Sequence, residues 1–360
     1  MKFYLHRPHP LPAELITALL AAWVLLAAGS STAQQAEPGP SPSSAHARTL
    51  AFRTMDRLAN GDAFDAKLRQ RIWAGGRLVV GVGHYEQSGG GTGRFNLEMT
   101  IHDGESRQTM KQISDGKLAW NRAEIANTIS VRRIDLGRID EYEQELLART
   151  PVTAISPAAT TVTPFAPTSS APIADRLPAR LLAGGLVELL DRINSDYDLR
   201  LGKGTVEGQP IWILRGTLRA EERKRIQKAS GREQLAALCP GEVRVAIAAT
   251  PDANGFGAGL PIRVEFWSSP PAVQRSLEPV LSAADAAPAE GHQSPVMTDP
   301  HAASAVASSE PHGRLISLLE IYAMRKIQPS PEERFRFISD DREVTFINDT
   351  GRYIDRIAAP

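Results

Sequence analysis

The sequence predicts an α+β fold built on an antiparallel β-sheet. Strand-like segments follow one another in pairs separated by short turns, and a few amphipathic helical segments lie between groups of strands. The chain has 360 residues, of which 42% are apolar, so it is long enough to bury a substantial core. This pattern differs from the regular strand–helix alternation that is typical of parallel sheets.

Charge and cysteine content exclude several classes of function. The chain carries 41 Lys plus Arg against 41 Asp plus Glu and has a single cysteine, Cys239. Because nucleic-acid binding needs a basic domain or stripe, we expect no nucleic-acid partner. One cysteine permits neither an internal disulfide nor a cysteine-rich zinc site.

The N-terminus has the layout of a secretory signal peptide. Lys2 and Arg7 precede a mostly apolar run over residues 15–28, and small residues follow at Ser31-Thr32-Ala33. The run is shorter than the about 20 residues that a bilayer span needs. We therefore expect residues 1–33 to be a signal peptide and the protein to be exported to the periplasm or cell envelope. An uncleaved N-terminal anchor is the alternative.

Three segments of biased composition organise the rest of the chain. Residues 34–47 are rich in Pro, Ser and Ala and predict a disordered leader. Residues 150–177 and 269–311 are Pro-rich and longer than a compact loop, which predicts two insertions. We expect residues 48–360 to form a single domain that these insertions interrupt.

The first half of that domain predicts helices followed by hairpins. Apolar residues at helical spacing predict two helices on either side of Asn60-Gly61-Asp62, one at Phe52, Met55 and Ala59 and one at Phe64, Leu68 and Ile72. Alternating apolar residues predict a strand over 95–101, paired with 78–87 across the Gly-rich segment 88–93. A second hairpin, 107–114 with 117–122, turns at Asp115-Gly116, and a strand over 128–135 leads into a helix over 136–148.

The second half of the domain also predicts helices between groups of strands. The pattern predicts helices over 181–193, 221–238 and 349–357, the last capped by Asn348 or Asp349. Predicted strands cover 197–206, 210–218, 243–248, 260–267 and 314–327. A final hairpin is expected between 335–338 and 344–347.

Several of these strands resemble a known family. The hairpin over 78–101, the segment Gln112 to Trp120 with its Ser-Asp-Gly turn, and the segment 132–136 look like the sheet of the periplasmic lipoprotein-carrier (LolA-like) superfamily. The segments 208–216 and 344–347 are similar to later strands of that fold. The resemblance implies a strongly curved, unclosed antiparallel sheet with helices over its concave face. It also implies a lipid or an acylated protein, bound in an apolar cavity between sheet and helices.

The small number of predicted helices also favours an apolar binding site on the sheet. An apolar sheet face must be covered by helices, another sheet or a ligand, and the predicted helices are few for about ten strands. Burying an acyl chain contributes about 0.8 kcal/mol per CH₂. The candidate ligand-binding residues are Phe95, Leu97, Met99, Trp120, Trp212 and Phe266. The alternative is that these six side chains fill an ordinary core, in an interaction or scaffold module whose Pro-rich insertions bind a partner.

Catalytic signatures are weak. The segment 88–93 lacks the Lys-Ser/Thr ending of a phosphate-binding loop and is predicted to be a hairpin tip. His84, His102 and His312 show no metal-ligand spacing, so we expect no catalytic residue, no metal and no cofactor. A hydrolase using His84 or His102 is the weaker alternative.

One helical segment suggests a membrane surface. The basic residues of this segment are Arg223, Lys224, Arg225, Lys228 and Arg232. They predict either a solvated helix face or contact with anionic lipid headgroups.

Overall fold

A computed structural model describes most of the predicted strands and helices. It covers residues 42–74, 77–102, 107–125, 128–149, 177–230, 240–268, 313–338 and 346–358. The predicted signal peptide, most of the leader and almost all of the two Pro-rich segments lie outside the described residues. The predictions made for them, and for the domain boundaries, therefore stay predictions.

Twelve strands form one sheet within the described residues. They are β1 (Phe64–Ala74), β2 (Arg77–Gln87), β3 (Arg94–His102), β4 (Arg107–Asp115), β5 (Leu118–Ile125), β6 (Thr128–Asp135), β7 (Tyr197–Val206), β8 (Gln209–Leu218), β9 (Pro240–Ala248), β10 (Pro261–Ser268), β11 (Leu315–Lys326) and β12 (Phe346–Asn348). The helices are α1 (Pro42–Asn60), α2 (Leu136–Arg149), α3 (Gly185–Asp196), α4 (Ala220–Ser230) and α5 (Thr350–Ala358), with 3₁₀ turns at Ala179–Leu182 and Glu332–Phe335. Among these helices, none is long and apolar enough to cross a membrane.

The sheet is open and almost entirely antiparallel. Its strand order is β12-β6-β5-β4-β3-β2-β1-β11-β10-β9-β8-β7, and β12 pairs with β6 as the one parallel pair. The two edge strands, β12 and β7, do not pair with each other, so the sheet is an unclosed half-barrel. The predicted α+β class with an unclosed antiparallel sheet is confirmed.

Cross-strand register separates the two faces of the sheet. Ala66 lies opposite Tyr85, and Tyr85 opposite Leu97, so their side chains share one face, which we call the inner face. Helices α1 and α3 pack on this face, and α1 also contacts β7. The main core lies between these helices and the inner face, because apolar strand residues on that side must be removed from water.

The predicted helix around Leu68 is wrong, since residues 64–74 form β1. Phe64, Leu68 and Ile72 are spaced by four, which satisfies both a helical and a strand period. The intervening charged residues decide the question, because charges at every odd position from Asp65 to Arg71 fit a strand with one polar face. β1 pairs with β2 over its whole length and with β11 on its other side.

The predicted C-terminal hairpin is also wrong. Residues 332–335 form a 3₁₀ turn, and Phe346–Asn348 form β12, which pairs in parallel with β6. The following helix is confirmed, and its cap is Asn348, whose Oδ1 accepts a hydrogen bond from the Thr350 N–H at 3.1 Å.

Two smaller boundaries differ from the sequence prediction. The end of the predicted disordered leader, from Pro42 onward, belongs to α1, and Ala47 is fully buried there. The helix predicted over 181–193 is a 3₁₀ turn followed by α3, separated at Gly184 and Gly185, which both have positive φ.

Of the helix predicted over 221–238, the part to Ser230 is helical and residues 231–238 lie outside the described ranges.

Candidate functional site

Five of the six predicted ligand-binding residues lie on the inner face. The register places Phe95, Leu97 and Met99 on it through β3, and Trp212 and Phe266 through β8 and β10. All except Trp212 are buried in the main core. The sequence therefore identified an apolar layer that runs across the sheet from β3 to β8.

The β3 end of that layer is filled by the chain's own side chains. The Phe95 ring packs against Gly184 and Gly185 at the start of α3, and a Cβ on Gly184 would lie only 2.5 Å from Phe95 Cζ. The Tyr85 ring lies beside Phe95, with centroids 6.4 Å apart, and its hydroxyl donates a hydrogen bond to Gln87 Oε1. Burial raises the pKa of Tyr85, which keeps this hydroxyl a neutral donor. The helices are thus in direct contact with the sheet at this point.

Trp120, the sixth predicted residue, lies on the outer face instead. Ser114 on β4 lies opposite both inner-facing Phe95 and Ala119, so the next residue, Trp120, points the other way. Its indole stacks on Phe337, with ring centroids 4.9 Å apart, and meets Phe346 edge-on at 5.5 Å. Trp120 therefore contacts the C-terminal segment on the outer face and does not line the inner face.

The inner face becomes accessible at the β7–β8 end of the sheet. Along β7 the inward residues change from buried Leu199 through half-buried Leu201 to exposed Lys203, and along β8 from buried Leu214 to half-buried Trp212. The Lys203 ammonium lies 4.9 Å from the centroid of the Trp212 ring. We call Leu201, Lys203 and Trp212 the β7–β8 opening. Sequence reasoning found Trp212 but missed Lys203, although the alternation Tyr197, Leu199, Leu201, Lys203 was a readable signal.

Polar contacts tie the helices of the inner side together. The Tyr353 hydroxyl on α5 donates to Glu188 Oε1 on α3 at 2.9 Å, and Arg356 pairs with Asp191. Burial and the Glu188 carboxylate raise the pKa of Tyr353, so this phenol also stays neutral. These contacts attach α5 to α3.

A separate cavity of about 520 Å³ lies near the turns at the same end of the sheet. Its lining mixes apolar and charged residues from β1, β11, the β7–β8 turn and the β9–β10 loop, including Phe256, Met324, Arg69, Glu207 and Asp252. Arg69 is already paired with Glu320 at 2.7 Å. Glu207 and Ala323, which have φ of 50° and 49°, both line this cavity. This mixed lining differs from the mainly apolar inner face.

The residues considered for catalysis are not brought together. His84 lies on the outer face, and its Nε2 is 4.0 Å from the Glu86 carboxylate, which Arg334 pairs at 2.7 Å. Within the described ranges, no group of three His, Cys, Asp or Glu side chains is placed to hold a metal ion. His312 and Cys239 lie outside those ranges.

The predicted basic segment of α4 is only partly described. Arg225 forms an ion pair with Glu222, and Lys224 is exposed. Arg232 lies outside the described residues, as does the side chain of Lys228. Contact of α4 with anionic lipid therefore stays a prediction.

Comparison with known proteins returns distant likeness in fold. No protein-family model matches the chain, and no curated protein sequence matches it. Among solved structures, the complex of MucA and MucB from Pseudomonas aeruginosa matches at 12% identity, covering 81% of this chain and 61% of that one, with a TM-score of 0.33. A LolA superfamily protein from Nitrosomonas europaea matches at 14% identity, 81% and 97% coverage and a TM-score of 0.24.

A third solved structure matches at a similarly low identity and TM-score. A DUF1329 family protein from Desulfovibrio piger is 11% identical, with 82% of this chain and 98% of that chain covered and a TM-score of 0.30. This chain spans about three fifths of the length of the matched chain in the MucA/MucB complex. All three matches are at most 14% identical to this chain, and their TM-scores lie between 0.24 and 0.33, so the likeness is a distant one in fold alone.

Proposed function

We propose that this protein is a non-enzymatic binding protein that holds a lipid or an acylated partner on the inner face of its sheet. The observation that carries the proposal is the continuity of the apolar inner face from buried Leu199 and Leu214 to the partly exposed Leu201 and Trp212. An acyl chain laid along this path extends the core of the protein. Each CH₂ removed from water contributes about 0.8 kcal/mol, so a few carbons give measurable affinity.

The cover over the inner face is suited to movement. Helix α1 buries three alanines, Ala47, Ala51 and Ala59, together with Met55 and Leu58. Helix α3 buries more large apolar side chains, namely Leu186, Leu189, Leu190 and Ile193, so displacing α1 should cost less than displacing α3. We therefore propose that α1, which contacts β7, moves aside when the acyl chain enters at the β7–β8 opening.

The proposed cellular place follows from the N-terminal sequence. The predicted signal peptide over residues 1–33 supports a role in the periplasm or cell envelope, where acylated proteins and free lipids are available as ligands.

Tryptophan quenching by a brominated fatty acid tests the site directly. Of the four tryptophans in the described ranges, Trp212 lies on the inner face, whereas Trp73, Trp120 and Trp267 lie on the outer face. Dibromostearate should remove the same absolute amount of tryptophan fluorescence from the wild-type protein and from Trp120→Phe. It should remove much less from Trp212→Phe. Absence of quenching in the wild type, or equal quenching in the two variants, would overturn the proposal. Native mass spectrometry of protein purified from its own envelope should show added lipid mass.

A further inference from the structure

Lys203 is a charged residue that follows a run of apolar and aromatic residues on the inner face of β7. It follows Tyr197, Leu199 and Leu201 at inward positions of β7, and its side chain is exposed. Within the described part of the chain, the Lys203 ammonium has no carboxylate partner, and its one contact of note is the Trp212 ring. An unpaired cation at the accessible end of an apolar path is available to a ligand.

We infer that the β7–β8 opening selects a single-chain amphiphile with an anionic headgroup, a carboxylate or a phosphate, which the Lys203 ammonium binds while the acyl chain runs inward along Leu201 and Leu214. This inference rests on the proposed function and names its substrate class. The headgroup stays at the water-exposed end, and the chain passes onto the buried part of the inner face.

The helix that contacts β7 carries more positive than negative charge, which favours an anionic ligand nearby. Helix α1, which packs against β7, carries Arg48, Arg53 and Arg57 against the single acid Asp56. The acid nearest in sequence to Lys203 on this hairpin, Glu207, lines the separate cavity with Arg69. The Trp212 ring adds a flat apolar surface next to the ammonium, which suits the junction between a headgroup and its chain.

The strand supplies a matched control for Lys203. Arg200 lies on the same strand but on the outer face, opposite Arg215 on β8, and is also exposed. Substituting either residue by glutamine removes one positive charge from β7. Only the Lys203 substitution removes it from the inner face.

Equilibrium dialysis with radiolabelled amphiphiles, each below its micelle concentration, tests the inference. The full-length mature protein should bind palmitate about tenfold more tightly than hexadecanol, since a charge-assisted hydrogen bond contributes that much. Lys203→Gln should abolish this preference, Lys203→Arg should keep it, and Arg200→Gln should behave as the wild type. Lysophosphatidic acid, compared with palmitate, shows whether phosphate or carboxylate is the better headgroup.

The outcomes separate the inference from the function on which it rests. If palmitate and hexadecanol bind equally to the wild type, or if Lys203→Gln keeps the preference, the headgroup assignment is overturned while acyl binding stands. If Arg200→Gln loses the preference as much as Lys203→Gln does, the effect is one of general charge and the assignment is again overturned. If no amphiphile binds, the proposed function itself fails.

Discussion

Gly184 lies against the Phe95 ring so closely that no side chain fits between them. A Cβ at position 184 would come 2.5 Å from Phe95 Cζ, and the Gly184 backbone has φ 100° and ψ 170°, a conformation that is open essentially to glycine alone. This contact sets where α3 begins on the inner face.

Gly184→Ala should therefore destabilise the protein strongly. It adds a steric conflict with Phe95 to the backbone strain, which alone costs about 1–3 kcal/mol. Gly208→Ala is the control, because Gly208 also has positive φ, 80°, but no atom lies within 4 Å of its Cβ position. Urea unfolding should show a larger loss for Gly184→Ala. Equal losses for the two variants would mean that Phe95 can move away from α3.

The fold was predictable where turn residues and an alternating apolar pattern indicate the same strands. It was not predictable where the spacing of apolar residues fits both a helix and a strand. The strands from β2 to β6 were found because turn residues and period-two patterns coincide, as at Asp115-Gly116. The segment from Phe64 was misassigned because a spacing of four fits both helix and strand, and the alternating charges beginning at Asp65 carried the missing information. Parallel pairing of β12 with β6 joins residues far apart in sequence and leaves no local signal.

The site was predictable only in part for a related reason. A residue's face depends on register, and counting from Phe95 to Trp120 passes through two turns whose lengths must be known. The contact of Gly184 with Phe95 depends on how a helix docks on the sheet, which no local pattern encodes.

Asp196 should make the folded protein less stable as the pH rises. Burial, and next the Glu222 carboxylate, raise the pKa of Asp196 above its ordinary value of 3.8. The folded state thus binds this proton more tightly than the unfolded state, so stability falls as pH rises from 3.8 through the folded-state pKa. Asp196→Asn should be more stable than the wild type at pH 7, and the difference should vanish below about pH 3.8.

The control for this prediction is a neighbouring carboxylate. Asp198 is exposed and pairs with Arg219 at 3.2 Å, so Asp198→Asn should change stability by less than about 0.5 kcal/mol at any pH. Denaturant titrations of both variants at pH 3.5, 5 and 7 would measure the effect. A destabilised Asp196→Asn at pH 7 would show that Arg192 and Arg225 outweigh the cost of burial.

Asp65 should show the opposite pH dependence. The hydrogen bond from Arg325 lowers the pKa of Asp65, and both guanidinium contacts are shorter than 3 Å. The carboxylate therefore stabilises the folded state above pH 3.8, and this contribution is lost as pH falls through the folded-state pKa. Asp65→Asn should be less stable than the wild type at pH 7 and equal to it in strong acid. Arg325 is largely exposed, so salt at 0.5 M should reduce the difference.

The Tyr353 hydroxyl should account for much of the attachment of α5 to α3. Tyr353→Phe leaves the largely buried Glu188 carboxylate without its shortest hydrogen bond, which should cost roughly 1–3 kcal/mol. Tyr142→Phe is the control, because Tyr142 packs on the same apolar cluster as Tyr353, which includes Ile139 and Ile357, and has no described hydrogen bond. Thermal or urea unfolding should separate the two variants. Identical stability would mean that Arg192 alone satisfies Glu188.

Trp120 should hold the C-terminal segment on the outer face. Its indole contacts Phe337 and Phe346, two aromatic pairs that each contribute about 0.5–1.5 kcal/mol beyond their buried area. Trp120→Ala removes both pairs without touching the inner-face core, so the segment should detach more often while the sheet stays folded. Limited trypsin digestion at native pH should then cleave faster after Arg336, which is exposed and adjacent to Phe337.

Two variants show whether this effect belongs to the aromatic contacts. Trp120→Phe keeps a ring in place and should restore most of the protection at Arg336, whereas Trp73→Ala removes an outer-face tryptophan that has no aromatic neighbour among the described residues. Cleavage after Arg336 in Trp73→Ala should match the wild type. If Trp120→Ala and Trp73→Ala are cleaved at the same rate, the C-terminal segment is held by its pairing with β6, and the two phenylalanines merely cover the indole.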